Sequence, residues 1–128
     1  MIGHLGWITL RPMAERSECL FCRIVDGDIP AAIVHEGERV IAFRDVAPKA
    51  PTHVLIIPRE HHVNVTALGA SEPEALLELV AVADQISHRE GHTGAYRLVF
   101  NTGAEVGQSV FHVHGHVLAG RDFTWPPG

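Results

Sequence analysis

The chain has 128 residues, 46% of them hydrophobic and 20% charged, with a formal net charge of −5 at pH 7. That length suits one globular domain with a buried core, and the negative balance disfavours a dedicated nucleic-acid binder. No apolar run approaches the ~20 residues of a membrane-spanning helix, and the stretch 2–10 is too short and too interrupted by glycine for a signal-peptide core. A cytoplasmic, reducing setting is therefore expected. In such a setting Cys19 and Cys22, the only two cysteines, point to metal binding or redox chemistry rather than a structural disulfide.

In chain order, residues 1–16 have no period and are broken by Gly3, Gly6 and Pro12, so they read as an N-terminal extension in which Met13 is an alternative start. The domain then runs over residues 17–128. Ser17 suits the cap of a short helix over 17–25, stopped at Gly27. Strands follow at 32–36 and 39–44, joined by a tight turn at 36–38, and a third at 52–57. Residues 59–70 read as a connection holding His61 and His62. Ser71, Pro73 and two acids open a helix whose leucines and valines give a broad apolar face to about residue 89, with Gly91 as its stop. A fourth strand is expected at 95–100, a glycine-bearing loop at 101–110 and a fifth strand at 111–118. This order predicts an α+β fold: a five-stranded, mainly antiparallel sheet with one long and one short helix.

The fifth strand reads His112-Val113-His114-Gly115-His116. Side chains alternate across a strand, so the spacing predicts three imidazoles on one face. Such a row is either a metal site or a nucleophile with proton-transfer partners. The loop before it carries Asn101, Gly107, Gln108 and Ser109, where glycine lets backbone N–H groups approach an anion and the polar side chains add donors. The C-x-x-C pair on the first helix can offer two thiolates to one zinc, although packing or a redox pair would use the same residues. His4, His35, His88 and His92 read as surface residues.

The run G-Q-S-V-F-H-V-H-G-H-V-L-A-G-R, with the W-P-P-G tail, resembles the histidine triad (HIT) superfamily and its Hint branch of nucleotide phosphoramidases. C-L-F-C-R-I-V-D-G-D-I-P-A and A-F-R-D-V-A-P-K-A-P-T-H-V-L-I-I-P-R-E-H extend the likeness from about Cys19 to Gly128. Gly115 departs from it, being small where the motif prefers a bulky apolar residue. The resemblance implies a HIT-like fold and a hydrolase acting on the α-phosphate of a purine nucleotide, AMP or GMP, through a nucleotidyl-histidine intermediate. It implies His114 as nucleophile and His112 as the residue that orients and polarises it, with His53 joining the cluster. His116 would meet the α-phosphate or its bridging atom, and Ser109 would help protonate the leaving amine. Gly107, Gln108 and Asn101 would hold the phosphate, Asp45 the ribose hydroxyls, and Phe21, Ile29 and Phe43 the base. Catalysis requires no cofactor. Zinc-bearing relatives imply a structural zinc on Cys19, Cys22, His61 and His112, and this competes with the catalytic role of His112. A homodimer is implied, with the C-terminal tail reaching the partner's active site, and neither nucleic acid nor membrane as a partner. Two other readings stay open on the residues: a nucleotide- or partner-binding module with weak turnover, and a metalloenzyme with its ion on the three histidines.

Overall fold

The computed structural model describes residues 16–128; the expected extension with its start at Met13 lies outside the described residues, apart from Arg16. The elements are α1 (Leu20–Val25), β1 (Ile33–Glu36), β2 (Val40–Arg44), β3 (Thr52–Pro58), α2 (Val65–Ser71), α3 (Pro73–Arg89), β4 (Arg97–Val99) and β5 (Gly115–Ala119). The five strands form one sheet in the order β1-β2-β3-β5-β4, with every neighbouring pair antiparallel. This is the expected α+β architecture.

The strand β3 lies at the centre and is buried along its whole length. Its alternate residues serve two cores. Val54 and Ile56 pack with Val40, Ala42 and Val117 under α3, which contributes Ala75, Leu79, Val82, Ala83 and Ile86 at helical spacing. Leu55 and Ile57 face the other way and pack with Ile41, Phe43 and Phe21 of α1. Both faces of the central strands are thus covered, which accounts for the continuous apolar run from Val54 to Ile57.

Beyond shifts of a residue at strand ends, the elements depart from the expected bounds at five places. The cap of α1 is Cys19, whose sulfur accepts the Cys22 N–H at 3.4 Å, rather than Ser17. The connection over 59–70 contains α2, capped by Asn64 through its side-chain oxygen on the Ala67 N–H at 2.9 Å. Ser71 closes α2 instead of capping α3: the residue before Pro73 is sterically excluded from the helical region, so Glu72 breaks the chain with φ −143° and ψ 66°. Finally, β5 begins at Gly115 rather than Phe111, and β4 spans three residues. The register Ile56↔Gly115 would place Val113 opposite Pro58, which has no N–H to donate. The Val113 N–H goes instead to the His62 carbonyl at 2.7 Å, and residues 111–114 leave the ladder.

Candidate active site

Two histidines meet on the face of the sheet that packs against α1. The register pairs Leu55 with His116 and His53 with Leu118, so His53 and His116 are diagonal neighbours. Nε2 of His53 lies 2.9 Å from Nδ1 of His116. The Lys49 N–H donates to Nδ1 of His53 at 3.0 Å, which places the His53 proton on Nε2. That proton is given to Nδ1 of His116, with Asp45 Oδ2 3.4 Å away. His116 must then carry its own proton on Nε2, and this buried nitrogen has no hydrogen-bond partner among the described residues. Burial above all, and then His114 and His53, lower His116 to about 4. Burial also lowers His53, against the pull of Asp45. The pair is neutral at neutral pH.

His114 is buried on the irregular segment before β5. Its Nδ1–H donates to the carbonyl of His112 at 2.9 Å, so Nε2 bears the lone pair. Its ring centroid lies 5.0 Å from that of His116 and 5.1 Å from Phe21, which it meets edge-on. The site therefore presents an imidazole lone pair beside an imidazole N–H donor.

The ring of His112 does not join this pair. Although residues 111–114 are not strand, the three imidazoles keep to the expected one face: Phe21 of α1 meets His112 and His114, His116 pairs with Leu55 of the α1-side core, and Val113 and Val117 lie in the α3-side core. Nδ1 of His112 lies 3.5 Å from Cys19 Sγ and 3.4 Å from Cys22 Sγ, while Nε2–H donates to the Pro58 carbonyl at 2.9 Å. Nδ1 of His61 lies 3.4 Å from Cys22 Sγ. The four donor atoms lie within 4.8 Å of one another. Zn–S bonds of about 2.3 Å and Zn–N bonds of about 2.0 Å at the tetrahedral angle separate a sulfur from a nitrogen by about 3.5 Å. The observed spacings fit that geometry. The Nε2–H on a backbone carbonyl leaves Nδ1 free as the ligand atom, as metal-bound histidines require. Burial lowers His112 to about 4, against the pull of the Pro58 carbonyl, so its ring is neutral as a ligand must be. The hydrogen bond between His112 and His114 runs through the His112 carbonyl, and His53 joins the cluster by pairing with His116.

Phe21, Ile29, Phe43, Leu55 and Asp45 line one cavity of about 400 Å³. Asp45 is also a wall of a second cavity of about 610 Å³, with His53, Asn101 and His116. Asp45 is preset: its Oδ1 accepts the Ala47 N–H at 2.8 Å. The second cavity also holds Lys49, Arg97 and Arg121. The sequence reading missed these three because isolated basic residues carry no spacing signal. The tail from Thr124 borders this same cavity of its own chain, with Arg97 Nη2 donating to the Thr124 carbonyl at 2.6 Å.

In the loop, Gly107 closes a 3-10 turn (Ala104–Val106) at φ 103°, a left-handed position that suits glycine, and faces the Asn101 amide. The Gln108 side chain is buried and fully used within the protein. Its Oε1 accepts from Gly103, and its Nε2 donates to the carbonyls of Val63 and Val110. It clamps the loop rather than offering donors to an anion. Ser109 is exposed and lines a hollow with Cys19, His61 and Phe111. His62 is half-buried and bonded to Glu72 at 3.1 Å, not solvated. His88 is exposed, whereas His35 and His92 are half-buried.

The model of the HIT domain family matches residues 26–123. Over 116 residues the chain is 45% identical to a HIT-like protein of Synechocystis sp., covering 91% of this chain and 100% of that one. It is 44% identical over 117 residues to a 14 kDa zinc-binding protein of Zea mays, covering 89% and 91% of the two chains. Among solved structures it is similar to a HIT family hydrolase from Legionella pneumophila Philadelphia 1, with a TM-score of 0.82 and 45% identity over 86% of this chain and 99% of the other. A histidine triad nucleotide-binding protein from Candida albicans aligns with a TM-score of 0.68 and 30% identity, over 77% of this chain and 72% of that one.

Proposed function

The chain belongs to the HIT family, and on that premise we propose that it is a nucleotide hydrolase of the Hint type: a purine nucleoside phosphoramidase that cleaves the P–N bond of AMP- or GMP-type phosphoramidates. The observation that carries this reading is the pair of fixed tautomers, a lone pair on Nε2 of His114 beside an unpartnered N–H on His116. A phosphoryl centre needs both, a nucleophile and a donor for the oxygen or bridging atom that gains charge.

The nucleoside occupies the apolar cavity, with its base against Phe21, Ile29 and Phe43. Its ribose hydroxyls donate to Asp45, whose position between the two cavities suits that role. The α-phosphate sits between His114 and His116, near Asn101 and the Gly107 backbone. Nε2 of His114 attacks phosphorus, a P–N bond to imidazole forms, and the bond to the leaving nitrogen breaks as the amine takes a proton from solvent water relayed by the Ser109 hydroxyl. Water then attacks the nucleotidyl-imidazole and releases one proton to solvent, replacing the one consumed, as the P–N bond to His114 breaks and its lone pair is restored. The His53–His116 contact fixes the donor tautomer throughout.

A structural zinc on Cys19, Cys22, His61 and His112 is part of the reading, supported by the donor spacing and by the zinc-binding relative. Bound there, the ion would cross-link α1 to the segments after β3 and before β5, and catalysis would not pass through it. The chain assembles as a homodimer.

The test is turnover of an adenosine 5′-phosphoramidate. His114→Ala is expected to remove nearly all of it, to below about one part in a thousand, while the protein still binds AMP. Substantial turnover in the folded variant refutes the nucleophile. Binding of nucleotide by the wild type with no release of amine favours a binding module.

A further inference from the structure

His112 is where the thiol–imidazole cluster and the catalytic pair meet. Its ring is held at both nitrogens, by the cysteine sulfurs at 3.5 and 3.4 Å and by the Pro58 carbonyl at 2.9 Å. Its carbonyl accepts the Nδ1–H of His114 at 2.9 Å, the bond that leaves the lone pair on Nε2. The other end of that peptide group, the Val113 N–H, donates to the His62 carbonyl at 2.7 Å. His62 directly follows His61, which faces Cys22 at 3.4 Å. Phe21 lies between the two cysteines in sequence and meets both His112 and His114 edge-on, at 6.0 and 5.1 Å. The peptide plane that orients His114 therefore belongs to one residue of the cluster, His112, and is held at its N–H end by His62, the neighbour of another.

We infer that the Cys19–Cys22–His61–His112 cluster is a positioning device for His114: a divalent cation held there, zinc by its donor chemistry, fixes the His112–Val113 peptide and thereby sets the turnover rate without touching substrate. The inference rests on the reading of His114 as nucleophile and of the cluster as a zinc site. Without a cation, a single Nδ1 lone pair faces two thiols, which are weak donors. With one, each of the four groups gains a metal bond and the His112 side chain is fixed from its ring to its backbone. His114 then keeps one tautomer and one direction. Small misplacements of a reacting group are costly to the chemical step, and groups that orient a functional side chain from behind typically change activity by about ten-fold or more.

The experiment compares the full chain, made without a histidine tag, in zinc-loaded and chelator-stripped forms. It reads zinc per chain, kcat and KM for an adenosine 5′-phosphoramidate, and the 15N resonances of the His114 ring, which report its tautomer. Stripping is expected to lower kcat about ten-fold and leave KM within about two-fold. It should also convert His114 from a single Nδ1–H tautomer to a mixture, and added zinc should restore both. Cys19→Ser, at the half-buried ligand, should resemble the stripped form, and Cys19→His, which returns a ligand, should recover. Equal kcat and an unmoved His114 spectrum in the two forms overturn the inference, even if the stripped form melts earlier, because a merely structural ion predicts that pattern. A chain that takes up no zinc overturns the metal reading and this inference with it. Turnover by His114→Ala overturns the nucleophile reading instead.

Discussion

At the scale of single residues, the protons of the site's imidazoles are placed by backbone groups, and burial keeps His53 and His116 neutral. One N–H, from Lys49, sets the tautomer of His53 and through it that of His116; one carbonyl, from His112, sets that of His114. Neutrality has a thermodynamic consequence. His116 is held at about 4 in the folded protein, against 6.5 for an ordinary histidine. Between those values the unfolded chain binds a proton that the folded chain does not, so stability is full above pH 6.5, falls as the pH drops towards 4, and loses nothing further from this group below that. Thermal unfolding of the metal-free protein from pH 7.5 to 4.5 should therefore give a falling midpoint, and His116→Asn should make the fall shallower. An unchanged slope in the variant would contradict the buried neutral state. Residues Phe21, Ile29, Phe43 and Asp45 could be named from the sequence through family likeness, and the structure brings them to one cavity. Nothing in the sequence distinguishes the Gln108 amide as a loop clamp, because its three partners lie on Gly103, Val63 and Val110.

Elements hold together through a few polar clamps across packed surfaces. Glu78 of α3 reaches the β1–β2 hairpin, where its Oε2 accepts the N–H groups of Arg39 and Val40 at 2.9 and 3.0 Å. Glu78→Ala strands both donors at a half-buried position and is expected to cost about 1–3 kcal/mol in urea unfolding; a loss under about 0.5 kcal/mol would mean that water replaces the carboxylate at no cost. At the start of β5, the departure of Gly115 from the family motif has a local reason. A Cβ there would lie 3.0 Å from Leu98, 3.1 Å from Leu79 and 3.2 Å from Phe100, so neighbouring side chains already fill the space of the bulkier residue. The helix α3 was legible through its period of 3.6, and β2 and β3 as short apolar runs rich in β-branched residues and bounded by turn residues. The helix α2 was not, since Val65–Ser71 is short and its Asn64 cap sits in a polar stretch that reads equally as loop.

For the whole molecule, the open question of surface is assembly. β1 and β4 are the two sheet edges, and unpaired edges invite pairing. On α3, Leu77 and Val80 are 71% and 46% exposed. They run along the helix toward Asp84, whose carboxylate meets the Tyr96 hydroxyl next to β4 at 3.4 Å. An exposed apolar row beside a free strand edge suits the proposed homodimer. Light scattering should give twice the 14.0 kDa chain mass, and Leu77→Asp should shift the protein towards monomer. A wild type that scatters as monomer at micromolar concentration would remove the dimer from the functional reading.

The sequence alone determined the α+β order of the main elements, the HIT likeness and the residue types available for phosphoryl chemistry. These properties are local or patterned, so a linear reading reaches them. The tertiary structure alone decided how the three histidines divide. Pro58 sits where the ladder would need an N–H, so residues 111–114 leave the strand, and His112 turns its ring to Cys19 and Cys22. His116 keeps to the sheet beside His53, while His114 hangs from the His112 carbonyl. Each of these contacts except the last joins segments far apart in the chain, and a tautomer is fixed only by the partner at the other end of such a contact.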